Sequence, residues 1–239
     1  VTAIANDKSL SSLDVKSTAT VAGSGNVSVG AAATIDSDVA VTSINVSTAA
    51  GSATLGNINA ANTTNTAGIT SLTVSGASTA AGAGASSVGS ITADKLTTLT
   101  VSNTIGNSKV GAIAVTGSPT NTTDGVIGNI TVSGKAGVSD ITSIAADSIG
   151  TVTVTSTGTA AGAIDTAEIG TVTVTGDATN YTDGTITALK ASAVGDAKIG
   201  AIVADSVGSI IVESTSTTVA STASLTSITD GNYAGKKAT

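Results

Sequence analysis

The 239-residue sequence contains no histidine, cysteine, methionine, tryptophan or phenylalanine, and it also lacks arginine and glutamine. It therefore has no thiolate or imidazole to bind a transition metal, and none of the common nucleophile–base pairs. Glu168 and Glu213 are its only glutamates, and nothing in the sequence brings them together for the paired-carboxylate chemistry of glycoside hydrolysis. We therefore predict that the protein is not an enzyme and uses no cofactor.

Positive charge is also scarce, because the chain has nine lysines against sixteen acidic residues and a formal net charge of −7. A nucleic-acid partner requires a cationic face, so this class of partner is excluded. No apolar run reaches the ~18 residues that cross a bilayer, so no direct membrane span is expected. Because the chain begins at Val1 and has no methionine, we expect a processed product or a fragment whose export signal is not present in it.

What the chain has in abundance is small and β-branched residues. Serine and threonine together number 76, glycine adds 28, and alanine and valine supply most of the apolar content. Valine, isoleucine and threonine suit pleated strands because their branched side chains pack well across a strand surface. With almost no aromatic or long helix-forming residues, the composition predicts an all-β protein with a narrow aliphatic core.

A six-residue phrase recurs along the chain: an apolar residue, then Gly, Ser or Thr, any residue, an apolar residue, any residue, then Val or Ala. Its clearest copies begin at Ile149 and Ile169 and alternate Val with Thr, which is the period-two pattern of a strand with one buried face. The copies begin at Leu10, Val41, Leu55, Ile69, Val88, Leu96, Val110, Ile127, Ile141, Ile149, Ile169, Ile186, Ile199, Val207 and Leu225.

The repeat predicts a parallel β-helix, or β-solenoid, because so small a unit buries its apolar side only by stacking on the next. Segments 144–155 and 164–175 match at an offset of 20 residues, so we predict coils of about 20 residues, roughly eleven in all. One solenoid would span 1–239, with irregular coils over about 1–68, the most regular coils over about 69–212 and a C-terminal tail over about 213–239. The alternative is a tandem pair of immunoglobulin-like β-sandwiches, with antiparallel strands.

Stacked coils would place threonines in an outward column that we predict to contain Thr73, Thr100, Thr131, Thr153 and Thr173. Such a regular array of hydroxyl and methyl groups is compatible with an ice-binding face. We favour the simpler interpretation that these are ordinary outward strand positions, where threonine is a common polar residue. Ala114 would interrupt the column, and Asp14 and Lys190 would occupy equivalent places in it.

Aspartates mark the predicted corners between strands, and Thr-Asp-Gly at 123–125, 182–184 and 229–231 is a turn signal. The corner residues Asp94, Asp147 and Asp205 are calcium candidates, although calcium favours clustered carboxylates and these are isolated in sequence. Their short side chains also suit capping of local amides. Six N-x-Ser/Thr sequons are candidate acceptors for glycans, at Asn26, Asn45, Asn62, Asn121, Asn129 and Asn180.

The repeats at Ile69–Gly76 and Leu96–Ser102 resemble those of repetitive secreted bacterial surface proteins, such as surface-layer proteins and adhesins. The chain lacks the calcium-binding nonapeptide of one such type. The resemblance implies an extracellular, cell-surface location and a structural role. Since the ends of a solenoid expose unpaired strand edges, we predict a self-assembling homopolymer that forms a layer, sheath or filament. Its expected partners are copies of itself, with glycans as a further candidate. The alternatives are an ice-binding protein and an adhesin or passenger stalk.

Overall fold

The computed structural model describes residues 10–21, 25–30, 34–62, 67–77, 84–117, 123–158, 165–175, 184–217 and 220–230. These residues form nineteen strands and no helix, which confirms the all-β prediction. The strands, numbered here in chain order, lie in two sheets in which the paired strands run parallel to one another.

Sheet A has eight strands, each paired with the next in this order: β1 (Ser12–Ser17), β4 (Val41–Thr48), β7 (Ile69–Gly76), β10 (Lys95–Asn103), β12 (Val126–Gly134), β14 (Ser148–Ser156), β16 (Thr185–Ala193) and β18 (Ser206–Ser214).

Sheet B has eleven strands. Three of its levels consist of two short strands, and the remaining levels of one long strand. The short strands are β2 (Val27–Val29), β3 (Ile35–Asp36), β5 (Ala53–Leu55), β6 (Ile58–Ala60), β8 (Ala85–Val88) and β9 (Ile91–Ala93). The long ones are β11 (Asn107–Val115), β13 (Val138–Ala146), β15 (Thr166–Val174), β17 (Asp196–Ala204) and β19 (Ala223–Asp230).

The chain alternates between the two sheets, crossing from A to B and returning to A one level further along. Within each sheet every strand therefore pairs with a strand of the neighbouring coil. This is a parallel β-solenoid, as predicted, and the described residues make eight coils. The alternative of immunoglobulin-like sandwiches is wrong, because those require antiparallel strands.

The predicted coil length of about 20 residues is wrong. The residues of one column in sheet A are 21–37 residues apart in sequence, about 28 on average: Ser12, Ser43, Ser71, Thr98, Asn129, Thr151, Ala188 and Ser209. Eight coils at ~4.8 Å each give a rod on the order of 35–40 Å long, shorter than eleven coils would give.

The error has a physical cause. Ile149 lies in β14 of sheet A and Ile169 in β15 of sheet B, so the matched segments are the two halves of one coil and not two successive coils. Both sheets line the same core, and the same alternating pattern suits both. The phrase therefore marks each half-coil.

The core is a column of aliphatic side chains between the sheets. From sheet A it receives buried residues such as Ile44, Leu72, Leu99, Ile130, Val152 and Leu189, which are at most 1% exposed. Sheet B contributes equivalent residues such as Ile113, Ile144, Val172 and Ile202. Burial of each such side chain stabilises the fold by about 1.5–3 kcal/mol, so the stacked ladder replaces the aromatic core that the composition excludes.

Serines near the crossing from sheet A to sheet B also point inward, and their hydroxyl groups donate hydrogen bonds to backbone carbonyl oxygens. The Ser108 hydroxyl donates to the Ser133 carbonyl at 2.6 Å, and the Ser156 hydroxyl donates to the Gly137 carbonyl at 2.7 Å. A buried hydroxyl costs little stability when it is paired in this way. These bonds tie the two sheets together at one edge of the rod.

The structure also changes the predicted boundaries. Strands are interrupted in sheet B as far as Ala93, beyond residue 68, whereas β4 and β7 of sheet A are already long and in register. The predicted tail over 213–239 begins too early, because β19 pairs with β17 over Ala223–Asp230. Stacking therefore continues to Asp230.

Candidate functional site

A column of threonines runs along the outer face of sheet A. Thr73, Thr100, Thr131 and Thr153 are paired in successive strands, as the sequence predicted. The column continues to Asn45 and Asp14 on one side and to Lys190 and Ile211 on the other. The Asn45 amide donates to the Asp14 carboxylate at 2.7 Å. Four threonines at a spacing of about 4.8 Å therefore occupy the centre of this face.

Thr173, the fifth predicted member, does not belong to this column. It lies in β15 of sheet B, beside Ala145 and Val203 on the opposite side of the rod. Ala114 is also in sheet B, so it does not interrupt the threonine column. The sequence placed both residues wrongly because the phrase has the same outward position in each half of a coil.

Two further columns flank the threonines on sheet A. One contains Ser12, Ser43, Ser71, Thr98, Asn129, Thr151, Ala188 and Ser209; the other contains Lys16, Ser47, Ser75, Ser102, Ser133, Thr155, Ser192 and Glu213. Small side chains dominate all three columns at the centre of the sheet. The charged side chains of these columns lie only in the first strand and the last two strands.

Sheet B carries a charged row that the sequence analysis did not identify. Lys109, Asp140, Glu168 and Lys198 occupy one outward column in successive strands. Lys109 pairs with Asp140 at 3.4 Å, and Lys198 pairs with Glu168 at 2.8 Å. Each of the four residues directly precedes the first residue of a phrase, so this shared position was the signal that could have revealed the row.

Three aspartates of the described chain have a raised pKa. Burial raises the pKa of Asp94 and Asp165, and it raises the pKa of Asp140 although the Lys109 ammonium opposes it. The neighbouring Glu168 carboxylate adds to the rise at Asp140. A carboxyl whose pKa is higher in the folded than in the unfolded state contributes stability below the unfolded pKa and loses it as the pH rises through the folded pKa.

We therefore expect the free energy of unfolding to rise when the pH is lowered from 7 towards 4. The exposed Glu213 acts in the opposite direction, because the hydrogen bond from Lys190 lowers its pKa. Asp140→Asn should flatten the dependence, which urea unfolding at several pH values would measure. A stability that falls steadily over this range, or a slope that Asp140→Asn leaves unchanged, would contradict the expectation.

The corner that leads from sheet B into sheet A has an alternating column of its own. Asp94, Gly125, Asp147, Gly184 and Asp205 follow one another from coil to coil, linked by backbone hydrogen bonds of 2.7–2.9 Å. Gly125 and Gly184 have φ of 67° and 77°, the left-handed region that glycine tolerates best. Each glycine ends a Thr-Asp-Gly signal, and a Cβ there would overlap the carboxylate of Asp147 or Asp205 on the next coil. The third signal, at 229–231, extends outside the described residues.

The three calcium candidates lie in this column, and a coil that carries Gly125 or Gly184 at this corner lies between each candidate and the next. Backbone amides donate hydrogen bonds to the carboxylates of Asp94 and Asp147: Asn62 and Ala67 donate to Asp94, and Gly117 donates to Asp147 at 2.9 Å. Over the described part of the chain, no three acidic residues are grouped closely enough to hold a metal ion. The arrangement fits a capping role for these carboxylates, which satisfies amides at a sharp turn.

The sequons are dispersed over the molecule. Asn121 and Asn180 lie outside the described residues. Among the others, the amides of Asn45 and Asn62 donate to the Asp14 carboxylate and the Asp38 carbonyl, and the Asn26 side chain accepts from the Ser52 amide at 2.8 Å. Asn129 lies within β12 and points outward.

The two ends of the rod differ from its middle. Inward residues of β18 are only partly buried, and Ile211, Leu225 and Ile228 are 40%, 38% and 54% exposed. At the other end, the inward residues Leu13 and Val15 of β1 are also only partly buried. Within the described ranges, β1, β18 and β19 each pair with a strand on one side only.

Among the residues that the structure describes there is no helix of a length and apolarity that would cross a membrane. The chain matches no family model, and neither a curated protein nor a solved structure matches it.

Proposed function

We propose that this chain is a structural module of the cell exterior that joins end to end with copies of itself into a layer, sheath or filament. The observation that carries the proposal is the open end of the rod at β18 and β19. Over the described residues, each of these strands has one edge whose backbone groups face no neighbouring strand, and apolar side chains are exposed beside it. A strand edge of this kind is a template for another chain.

The free energy of burying apolar side chains favours a second copy of this chain as the partner that covers this end of the rod. The inner column of the rod is aliphatic from coil to coil, so a further coil would bury Ile228 and Leu225 as Ile202 and Ile199 are already buried. The favourable free energy is about 25 cal/mol for each Å² of apolar surface removed from water. In sheet A no new type of contact is needed, because the joint would repeat the contact that neighbouring coils already make.

The sides of the rod support the same function. Small hydroxyl side chains cover the centre of sheet A, and the four charges of the sheet B row, Lys109, Asp140, Glu168 and Lys198, form two ion pairs. Such faces have little tendency to stick to unrelated proteins. The acidic net charge and the absence of cysteine suit an exposed, redox-independent scaffold outside the cell.

Electron microscopy and sedimentation velocity of the purified chain test the proposal. We expect a concentration-dependent series of species whose length grows in steps of one rod. Dispersed monomers at every concentration, temperature and salt would contradict it.

The threonine column favours a second candidate, an ice-binding face. Four threonines stand in register on a sheet of small side chains, so their hydroxyl and methyl groups form a repeated array. Thr131 lies at the centre of that array, and Thr173 offers a matched position on the other sheet.

If this candidate is correct, the chain shows thermal hysteresis, and Thr131→Tyr abolishes most of it because a large ring disrupts the array. Thr173→Tyr, on sheet B, should leave the effect intact. Freezing-point measurements under a microscope would decide between the outcomes. An ordinary freezing curve for the unmodified chain, or equal effects of the two substitutions, would remove ice binding from consideration.

A further inference from the structure

The two ends of sheet A are complementary in their apolar residues. Six hydrophobic side chains pack against the core while remaining partly exposed, three at each end: Leu10, Leu13, Val15, Val207, Ile210 and Val212. Five of them are inward residues of the first and last strands of the sheet, and Leu10 lies two residues before β1. Both ends therefore present the same pattern of aliphatic residues at the same column positions.

The existing register specifies what a continuation would align. In sheet A, Leu189 pairs with Ile210 and Ser192 with Glu213. At the other end, Leu13 pairs with Ile44 and Lys16 with Ser47. If β1 of a second copy took the next place after β18, Ile210 would meet Leu13, Val212 would meet Val15, and Glu213 would meet Lys16.

The charges at the ends agree with this register. Glu213 and Lys16 are both exposed and lie in the same outward column, at opposite ends of the rod. Glu213 already binds the Lys190 ammonium at 3.0 Å from one side, and 47% of its side chain remains exposed. Lys16 of the next copy, on the open side, would complete a row of three alternating charges across the joint: Lys190, Glu213 and Lys16. Opposite charges placed directly across neighbouring strands favour pairing, and like charges oppose it.

We propose that copies of this chain join head to tail through β18 and β1, in parallel and without a break in register, and that Glu213 of one copy pairs with Lys16 of the next. This inference rests on the proposed function and adds the contact that sets its polarity. The joint makes the polymer directional, because the two ends of each rod are different surfaces.

Sheet B adds a condition to the joint. β19 is exposed at the far end, whereas Val29 and Ile35 near the other end are 0% and 1% exposed. In the continued register Leu225 would meet Val29, and Ile228 would meet Ile35. Because Val29 and Ile35 are already shielded from solvent, the groups that shield them must move before β19 can pack there. Joining should therefore be slower than a diffusional encounter of two preformed surfaces.

Charge reversal at the two ends tests this pairing. Lys16→Glu places a second carboxylate opposite Glu213, and Glu213→Lys places a second ammonium group opposite Lys16. Each variant alone should therefore associate about tenfold more weakly than the unmodified chain. Mixing the two variants restores opposite charges at both kinds of joint. The mixture should therefore assemble as the unmodified chain does, with the two variants strictly alternating.

Lys135→Glu is the control, because it reverses an exposed charge in a turn in the middle of the rod and should leave assembly unchanged. Far-UV circular dichroism would verify that every variant is folded. Sedimentation velocity would measure association, and mass tags on one variant would report the alternation.

The results separate the inference from the proposed function. Absence of assembly in the unmodified chain overturns both. Assembly that survives each single reversal, or that the mixture does not restore, overturns the pairing and leaves the structural function standing. Dimers that respond to Lys16→Glu and not to Glu213→Lys would show head-to-head contact through β1, and would also overturn the inference.

Discussion

Replacing Ile130 by aspartate is expected to unfold the rod around β12, whereas Thr131→Asp is expected to cost at most about 1 kcal/mol. Ile130 is 1% exposed and lies between Leu99 and Val152 in the aliphatic ladder. An unpaired carboxylate there is expected to destabilise the fold by more than about 4 kcal/mol. Thr131, one residue further on, points into solvent from the opposite side of the same strand.

The pair is informative because the two variants differ by one position and introduce the same side chain. Urea unfolding followed by circular dichroism would measure both free energies. Equal losses of stability would contradict the assignment of alternate residues to the core and to the outer face. A small loss for Ile130→Asp would show that this column is not buried.

Gly125→Ala is expected to cost about 3 kcal/mol or more, a large effect for the addition of one methyl group. The residue has φ of 67°, where a Cβ costs about 1–2 kcal/mol. The added methyl would also overlap the Asp147 carboxylate, which sits over the glycine from the next coil. The two effects act together at one corner of the rod.

A double-mutant cycle separates the two contributions. Asp147→Ala removes the overlapping carboxylate, so the double variant should be more stable than the sum of the single effects predicts, by roughly 1–2 kcal/mol. The backbone cost at residue 125 should remain. Strict additivity of the two substitutions would contradict the described contact.

The sequence was sufficient to predict the strands, their buried faces and their parallel stacking, because alternation of Val with Thr is a local property. It was not sufficient to assign a strand to its sheet. Val152 and Val172 have the same neighbours in sequence and face the same core from opposite walls, so the pattern repeats after half a coil. Turns of variable length between the sheets remove any fixed spacing that would have separated the two.

The same ambiguity explains the outcome for the candidate site. Four members of the threonine column were predicted because they belong to one sheet, and Thr173 was misplaced because its phrase belongs to the other. The corner aspartates were found, but their alternation with Gly125 and Gly184 depends on contacts between coils about 20 to 40 residues apart. The pairing of Lys198 with Glu168 likewise requires the register of β15 with β17.

Distances between spin labels test the central claim, that successive coils stack in parallel register, most directly. Labels at Asp14 and Thr131 lie in one column four coils apart, and labels at Asp14 and Lys190 lie six coils apart. At ~4.8 Å per coil we expect backbone separations of roughly 19 Å and 29 Å, which increase in proportion to the number of coils. Separations that do not follow this order, or that place residue 190 nearer to residue 14 than residue 131, would contradict the stacked rod.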